Sequence, residues 1–230
     1  MDTIYALSSG ALPSGVAVVR LSGPRAGDIL VALACPLPRP RCCELRTFRD
    51  PTGAAAIDRG LAVWFPGPAS FTGQDIAEIH VHGGKAVVAA VARSLAGLGA
   101  RLALPGEFAR RAFENGKLDL TEVEGLADLI AAETETQHRQ ALGSAGGALA
   151  RRAEDWRSRL IDLRAEIEAR LDFSDEADVS EGLPSRFWNA VGELRRELAE
   201  AVASASAGER VREGFRVVIL GRPNAGKSTL

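Results

Sequence analysis

"DIAEIHVHGGKAVVAAVARSLAGLG", Asp75 to Gly99, carries two periodicities back to back. Ile76, Ala77, Ile79 and Val81 are set against Glu78, His80 and His82, a period near two that predicts a strand with one buried face. Past Gly83–Gly84, the run from Lys85 reads as a helix that stops at the Gly97–Gly99 stretch. Working outward, "GVAVVRLSG" (Gly15–Gly23) is a β-branched run bounded by glycines, and "GLAVWFPGP" (Gly60–Pro68) is a strand closed by prolines. "PGEFARRAFENG" puts Pro105 at a helix start and Asn115–Gly116 at its end. Strands and helices alternate through residue 118, so the expected class for 1–118 is α/β or α+β.

From Leu120 the pattern turns to long helices, an all-α region expected over 119–213. "TEVE" offers a capping box, Thr121 with Glu124, ahead of Val123, Leu126, Ala127, Ile130 and Ala131 at helical spacing. A second stripe runs Leu149, Trp156, Leu160, Leu163, Ile167, Leu171. A third, Trp188, Val191, Leu194, Leu198, Val202, follows Ser185 as its expected N-cap. The acidic "DFSDEADVSEGLP" between them lacks the D-x-D-x-D-G order of a calcium loop and reads as a solvated linker.

"FRVVIL" (Phe215–Leu220) then reads as a buried strand feeding "GRPNAGKST" (Gly221–Thr229). That segment satisfies G-x-x-x-x-G-K-[ST] in full: glycines let backbone N–H groups face a phosphate, Lys227 reaches the terminal phosphates, and the Ser228 hydroxyl suits Mg²⁺. The first strand and P-loop of a nucleotide-binding domain are therefore expected over 214–230. The loop alone separates neither GTP from ATP nor hydrolase from kinase.

Composition narrows the field. Charged residues are 25% of the 230, with 28 Lys plus Arg against 30 Asp plus Glu, so there is no global basic footprint for nucleic acid. Lysines occur only at 85, 117 and 227. Cys35, Cys42 and Cys43 have no CxxC spacing and read as free thiols. No signal peptide is visible and the longest apolar run, Ala86–Ala92, is too short for a bilayer, so the expectation is a cytoplasmic chain without a membrane segment.

"DTIYALSSG", "GVAVVRLSGPRA", "FPGPASFTGQDIAEIHVHGG", "PGEFARRAFENGKLDLTEVEGLADLIAA" and "GRPNAGKST" occur in this order from residue 2 onward. Together they resemble the MnmE (TrmE) family of tRNA-modification GTPases. The resemblance implies an N-terminal folate-binding domain that dimerises, a helical domain, and a G domain inserted into the helical one. It implies a tetrahydrofolate derivative (5-formyl or 5,10-methylene) held by Arg20, Glu78 and Lys117. It also implies GTP held by Asn224, Ala225, Gly226, Lys227, Ser228 and Thr229, with Mg²⁺ on Ser228 and K⁺ on Asn224. The implied activity is K⁺-stimulated GTP hydrolysis coupled to (carboxymethyl)aminomethylation at C5 of a tRNA wobble uridine. The FAD-dependent MnmG is the implied partner, in a heterotetramer built on the homodimer. His80 and His82 share a strand face without a third ligand, which favours structural or folate-lining roles over a metal site. The family's terminal Cys-Ile-Gly-Lys is absent, "QDIAE" stands for the commoner "EDVVE", and the catalytic residues are not identified. A stand-alone folate or one-carbon module and a different P-loop NTPase are the alternatives.

The Walker B and guanine-reading segments do not occur in these 230 residues. The chain alone is therefore expected to bind folate as a dimer, to bind GTP poorly and to hydrolyse none. K⁺-stimulated phosphate release by the purified chain would contradict this.

Overall fold

The computed structural model describes residues 2–53, 55–172, 182–214, and 218, 220, 221 and 227. The acidic stretch 173–181, most of the strand expected at Phe215–Leu220, and Asn224, Ala225, Gly226, Ser228 and Thr229 lie outside the described residues. The chain forms two compact units, Met1–Leu120 and Thr121–Leu230.

The first unit is built on a six-stranded sheet of β1 (Ile4–Leu7), β2 (Ser14–Ser22), β3 (Glu44–Arg49), β4 (Ala56–Phe65), β5 (Ile76–Gly83) and β6 (Arg101–Leu102), in the order β3-β4-β5-β2-β1-β6. Every pairing is antiparallel except β1 with β6, which settles the class as α+β. Helices α1 (Ala26–Ala34) and α2 (Lys85–Gly97) cover one face. The core there joins Val19, Leu21, Trp64, Ala77, Ile79 and Val81 of the strands to Ile29, Leu30, Leu33, Val91 and Leu95 of the helices. The alternation in β5 is thus what the sequence predicts: Ile79 and Val81 are buried, whereas Glu78 and His80 are half-buried and His82 exposed.

Backbones approach closely where β4 crosses β5. A Cβ on Gly60 would lie 2.0 Å from the His80 carbonyl oxygen, so no larger residue fits without moving a strand.

Helix α3 (Glu107–Glu114) closes the other end of the unit and begins two residues after Pro105. It is tied to the N-terminus by a charged network. Arg111 donates to Asp2 at 2.6 Å and to Glu107 at 3.0 Å, and Arg101 donates to Glu107 at 2.7 Å and to Asp2 at 2.7 Å. Arg111 and Glu107 are both buried, so each depends on the other for charge compensation.

The second unit is helical: α4 (Leu120–Ala131), α5 (Glu135–Ala145), α6 (Ala148–Asp172) and α7 (Ser185–Glu213). The capping box expected at Thr121 is displaced. Thr121 already lies inside α4, and the box forms instead at Thr134–Gln137, where the chain re-enters helix after a break. Ser185 likewise is the first helical residue of α7, with Pro184 at the cap position. Gly125 lets α4 pack on α5, since a Cβ there would lie 2.4 Å from the Ala145 nitrogen. Antiparallel α6 and α7 are joined by Trp156 and Arg159 donating to Glu197 (3.2 and 2.9 Å) and by Arg186 to Glu166. The Arg159 hydrogen bond holds the Glu197 carboxyl below its usual range.

Two members of the third stripe face outward: Trp188 is 60% and Val202 75% exposed, and the buried anchors of α7 are Phe187 and Leu194. No residue of α6 is buried. The Leu160, Leu163 and Ile167 face of α6 and the Phe187, Val191, Leu194 and Leu198 face of α7 bound an open apolar groove. No described helix is long and apolar enough to cross a membrane.

The charged network sets a pH dependence. Hydrogen bonds from Arg101, then Arg111, hold Asp2 at about 2 instead of 3.8, and Glu107, bonded first by Arg101, sits at about 2 instead of 4.5. Both folded values are depressed, so their stabilisation is complete above about pH 4.5 and is lost as pH falls towards 2. Thermal melts of the first unit should fall through that window. Glu107→Gln should flatten the fall and lower the neutral-pH midpoint by roughly 5–10 °C.

Candidate functional site

The sheet face opposite α1 and α2 carries the charge. Register pairs Arg20 of β2 with Glu78 of β5 directly across the ladder, and Val63 of β4 with Glu78 on the other side. Two residues separated by 58 positions in the chain therefore meet because each sits on the non-core side of its strand. Arg20 Nε and one terminal nitrogen donate to Glu78 Oε1 at 2.9 and 2.8 Å. The other oxygen, Oε2, lies 3.2 Å from His80 Nε2. The Arg20 side chain remains 32% exposed and that of Glu78 15%, so the pair is open to a ligand on one side.

A loop over residues 66–75 folds against this pair. The Phe71 ring lies 5.8 Å from the Arg20 guanidinium carbon, within cation–π range. Asp75 accepts from the Gly67 N–H at 2.8 Å, and the Ser70 hydroxyl donates to the Gln74 carbonyl, which keeps the loop compact. Its inner side is pinned by the buried Ser22–Thr72 hydroxyl pair at 2.7 Å and by Arg111 donating to Gln74 at 3.2 Å.

Lys117 reaches the same loop from the end of α3. Gly73 has φ +75°, and a Cβ there would meet the Lys117 stem at 3.2 Å, so the lysine's methylenes lie over a bare glycine. Asn115 holds the two together by donating to the Thr72 carbonyl at 2.7 Å. Lys117 itself is exposed. Among the described residues no hydrogen bond or ion pair joins its ammonium to Glu78. The structure thus brings Arg20 and Glu78 into contact and connects Lys117 to them through the 66–75 loop.

His82, two residues beyond His80, belongs to a separate pair. Its Nδ1 lies 2.9 Å from Asp58 Oδ1, and its backbone N–H donates to Asp58 Oδ2 at 2.7 Å. Burial pushes Asp58 up, but hydrogen bonds from the His82 backbone and ring outweigh it, and the carboxyl stays below its usual range. Among the described residues no cluster of three metal-ligating side chains occurs. Cys35, Cys42 and Cys43 are free thiols.

Of the phosphate loop, Lys227 is described: its ammonium donates to the Gly221 carbonyl at 2.9 Å. The other expected nucleotide and cation ligands, Asn224, Ala225, Gly226, Ser228 and Thr229, lie outside the described residues. Sequence reasoning missed Phe71 and Asp58. Phe71 sits in a Gly- and Pro-rich loop with no periodicity to mark it, and Asp58 becomes a partner of His82 only through strand pairing.

Comparison with known proteins agrees with this architecture. Residues 3–117 match the family model described as the GTP-binding protein TrmE N-terminus, and residues 120–222 match the MnmE helical domain. The chain is 55% identical over 230 residues to a tRNA modification GTPase MnmE of Rhizobium meliloti, covering 100% of this chain and 52% of that protein. The protein of the same description from Azorhizobium caulinodans is 56% identical over 230 residues, and that of Caulobacter vibrioides 53% over 229, again with 100% of this chain and 53% and 51% of theirs. The chain spans about half the length of these relatives. With the sheet unit and the helical unit each matched by its own model, the chain belongs to the MnmE (TrmE) family.

Proposed function

We propose that this chain supplies the reduced-folate site and the dimerising domain of a GTPase that modifies the wobble uridine of tRNA. Its domains in this reading are 1–118 for folate binding and dimerisation, 119–213 for the first part of the helical domain, and 214–230 for the start of the G domain. The observation that carries the reading is the half-open Arg20–Glu78 pair, flanked by Phe71 and by the loop on which Lys117 rests.

The chemistry follows from lone pairs. A carboxylate offers about four acceptor positions, of which Arg20 and His80 occupy three. A pterin presents an amino group and a ring N–H side by side, a two-point donor that a carboxylate matches. Docking needs one position more than remains, so Arg20 yields one bond and turns its guanidinium to the ligand's carbonyl. Phe71 offers the ring an aromatic neighbour. Lys117 supplies a mobile cation at the rim. Bound there, a 5-formyl- or 5,10-methylene-tetrahydrofolate brings the one-carbon unit; these residues bind and orient it.

Support for the wider assignment comes from the relatives, described as tRNA modification GTPases, and from the phosphate-loop motif. In it Asn224 would bind K⁺, Ser228 Mg²⁺, and the backbone from Ala225 to Thr229, with Lys227, the phosphates of GTP. GTP hydrolysis, the FAD-dependent partner MnmG, tRNA and the cytoplasm complete the proposal. The apolar groove between α6 and α7 is where helices from the remaining half of such a protein would pack.

Titration calorimetry of the chain with 5-formyltetrahydrofolate tests the reading. One site per chain is expected, weakened at least tenfold by Glu78→Gln and several-fold by Lys117→Ala. Equal affinity of wild type and Glu78→Gln would overturn it.

A further inference from the structure

A chain with a formal net charge of −2 has no global basic footprint, so any contact with RNA needs a local patch. The connection from α1 to β3 supplies one. Residues 35–46, "CPLPRPRCCELR", hold Arg39, Arg41 and Arg46 against the single acid Glu44, a local balance of +2. Proline at 36, 38 and 40 fixes the backbone on either side of Arg39 and ahead of Arg41.

The connection is held on its inner side and open on its outer side. Pro38 is fully buried, whereas Arg39, Pro40 and Arg41 are exposed. The Cys42 N–H donates to the Arg39 carbonyl at 3.0 Å, closing a turn over residues 39–42. Glu44 ties the base of the turn, accepting from the Arg39 N–H at 2.9 Å, from Arg39 Nε at 3.3 Å and from Arg46. Arg46 Nε also donates to the Pro36 carbonyl at 3.2 Å. The Arg41 N–H donates to the Trp64 carbonyl at 2.7 Å, and its guanidinium to the Ala69 carbonyl.

Arg41 has φ +60°, and among the described residues it is the one non-glycine with positive φ. Asparagine or glycine would hold that conformation with less strain. A long cation sits there instead, pinned through its own backbone. The Arg39 side chain is 82% exposed, so its terminal nitrogens face water although Nε holds Glu44. Two planar donor forks thus stand out from a rigid turn, and three arginines share one carboxylate.

We propose that the Arg39–Pro40–Arg41 turn is a docking surface for the phosphate backbone of tRNA. Guanidinium forks match phosphate oxygens, and a pre-ordered turn loses little freedom on contact. The proposal rests on the tRNA reading of the function and is independent of the folate pair. Phosphate contacts position a nucleic acid without reading its sequence, so the turn orients the substrate and does not select it.

The test is fluorescence anisotropy of the 230-residue chain with a labelled, unmodified tRNA transcript over 50–200 mM KCl. Arg39→Gln and Arg41→Asn should each reduce the slope of log affinity against log salt by about one. Asparagine keeps the positive φ at 41, and circular dichroism checks both folds. The double variant should bind roughly tenfold more weakly at the middle of the range. Arg110→Gln, which removes an exposed charge from α3, should change affinity by less than about twofold. If the double variant keeps the wild-type slope and affinity, the surface is overturned while the tRNA reading stands. If the wild-type chain binds no tRNA, the surface falls with the tRNA reading for this half of the protein. If poly-L-glutamate binds as tightly and is lost in the same variants, the turn serves an acidic protein segment and the RNA assignment is overturned. Affinity for 5-formyltetrahydrofolate should be the same in all these variants, which keeps the folate reading separate.

Discussion

The register of β5 between β4 and β2 is the constraint on which the first unit depends. β5 lies inside the sheet, and both neighbours run antiparallel to it. One face must bury Ala77, Ile79 and Val81 against α1 and α2, so a slip by one residue would drive Glu78 and His80 into the apolar core. The same register sets Arg20 opposite Glu78 and brings Gly60 against the His80 backbone. Core and site are therefore two faces of one decision. The charged face is affordable because its carboxylate is compensated on both oxygens while staying partly in water.

Around that pair, the supports come from distant parts of the chain. Residues 66–75 bring Phe71, and the end of α3 brings Lys117 and Asn115. Helix α3 is in turn anchored to the first residues through Arg111, Glu107 and Asp2. A site assembled in this way is held by buried polar contacts on its inner side and left open on its outer side, the arrangement a ligand-orienting surface needs. The helical unit is organised differently. Its ion pairs lie at exposed or half-exposed positions and α6 buries no residue, so its long helices still present apolar surface.

Much of this was legible in the sequence, for identifiable reasons. β2, β4, β5, α2 and α3 announce themselves because one-sided burial leaves a period in the residues and glycine or proline marks the ends. β1 is four residues long, too short for a period to show, and edge strand β3 alternates weakly because only Phe48 among its residues is buried. Helix α1 starts at Ala26 with Arg25 in the N-cap position and no side-chain cap hydrogen bond, which removes the usual signal. The choice between α/β and α+β needed strand directions, which local pattern does not carry. At the site, Arg20, Glu78 and Lys117 could be singled out only through resemblance to a family. Their mutual arrangement, and the roles of Phe71, His80 and Asp58, arise from pairing between residues far apart in the chain. The cap misplaced at Thr121 shows the same limit: T-x-x-E and T-x-x-Q are equivalent on paper, and the helix break at residues 132–134 decides between them.

The central claim is that the open Arg20–Glu78 pair seats a reduced folate. A crystal structure of the chain grown with 5-formyltetrahydrofolate addresses it most directly. The expected result is pterin density hydrogen-bonded to the Glu78 carboxylate, with one Arg20 bond to Glu78 exchanged for a bond to the ligand. Ligand density elsewhere on the chain, with the Arg20–Glu78 pair unchanged, would contradict the account.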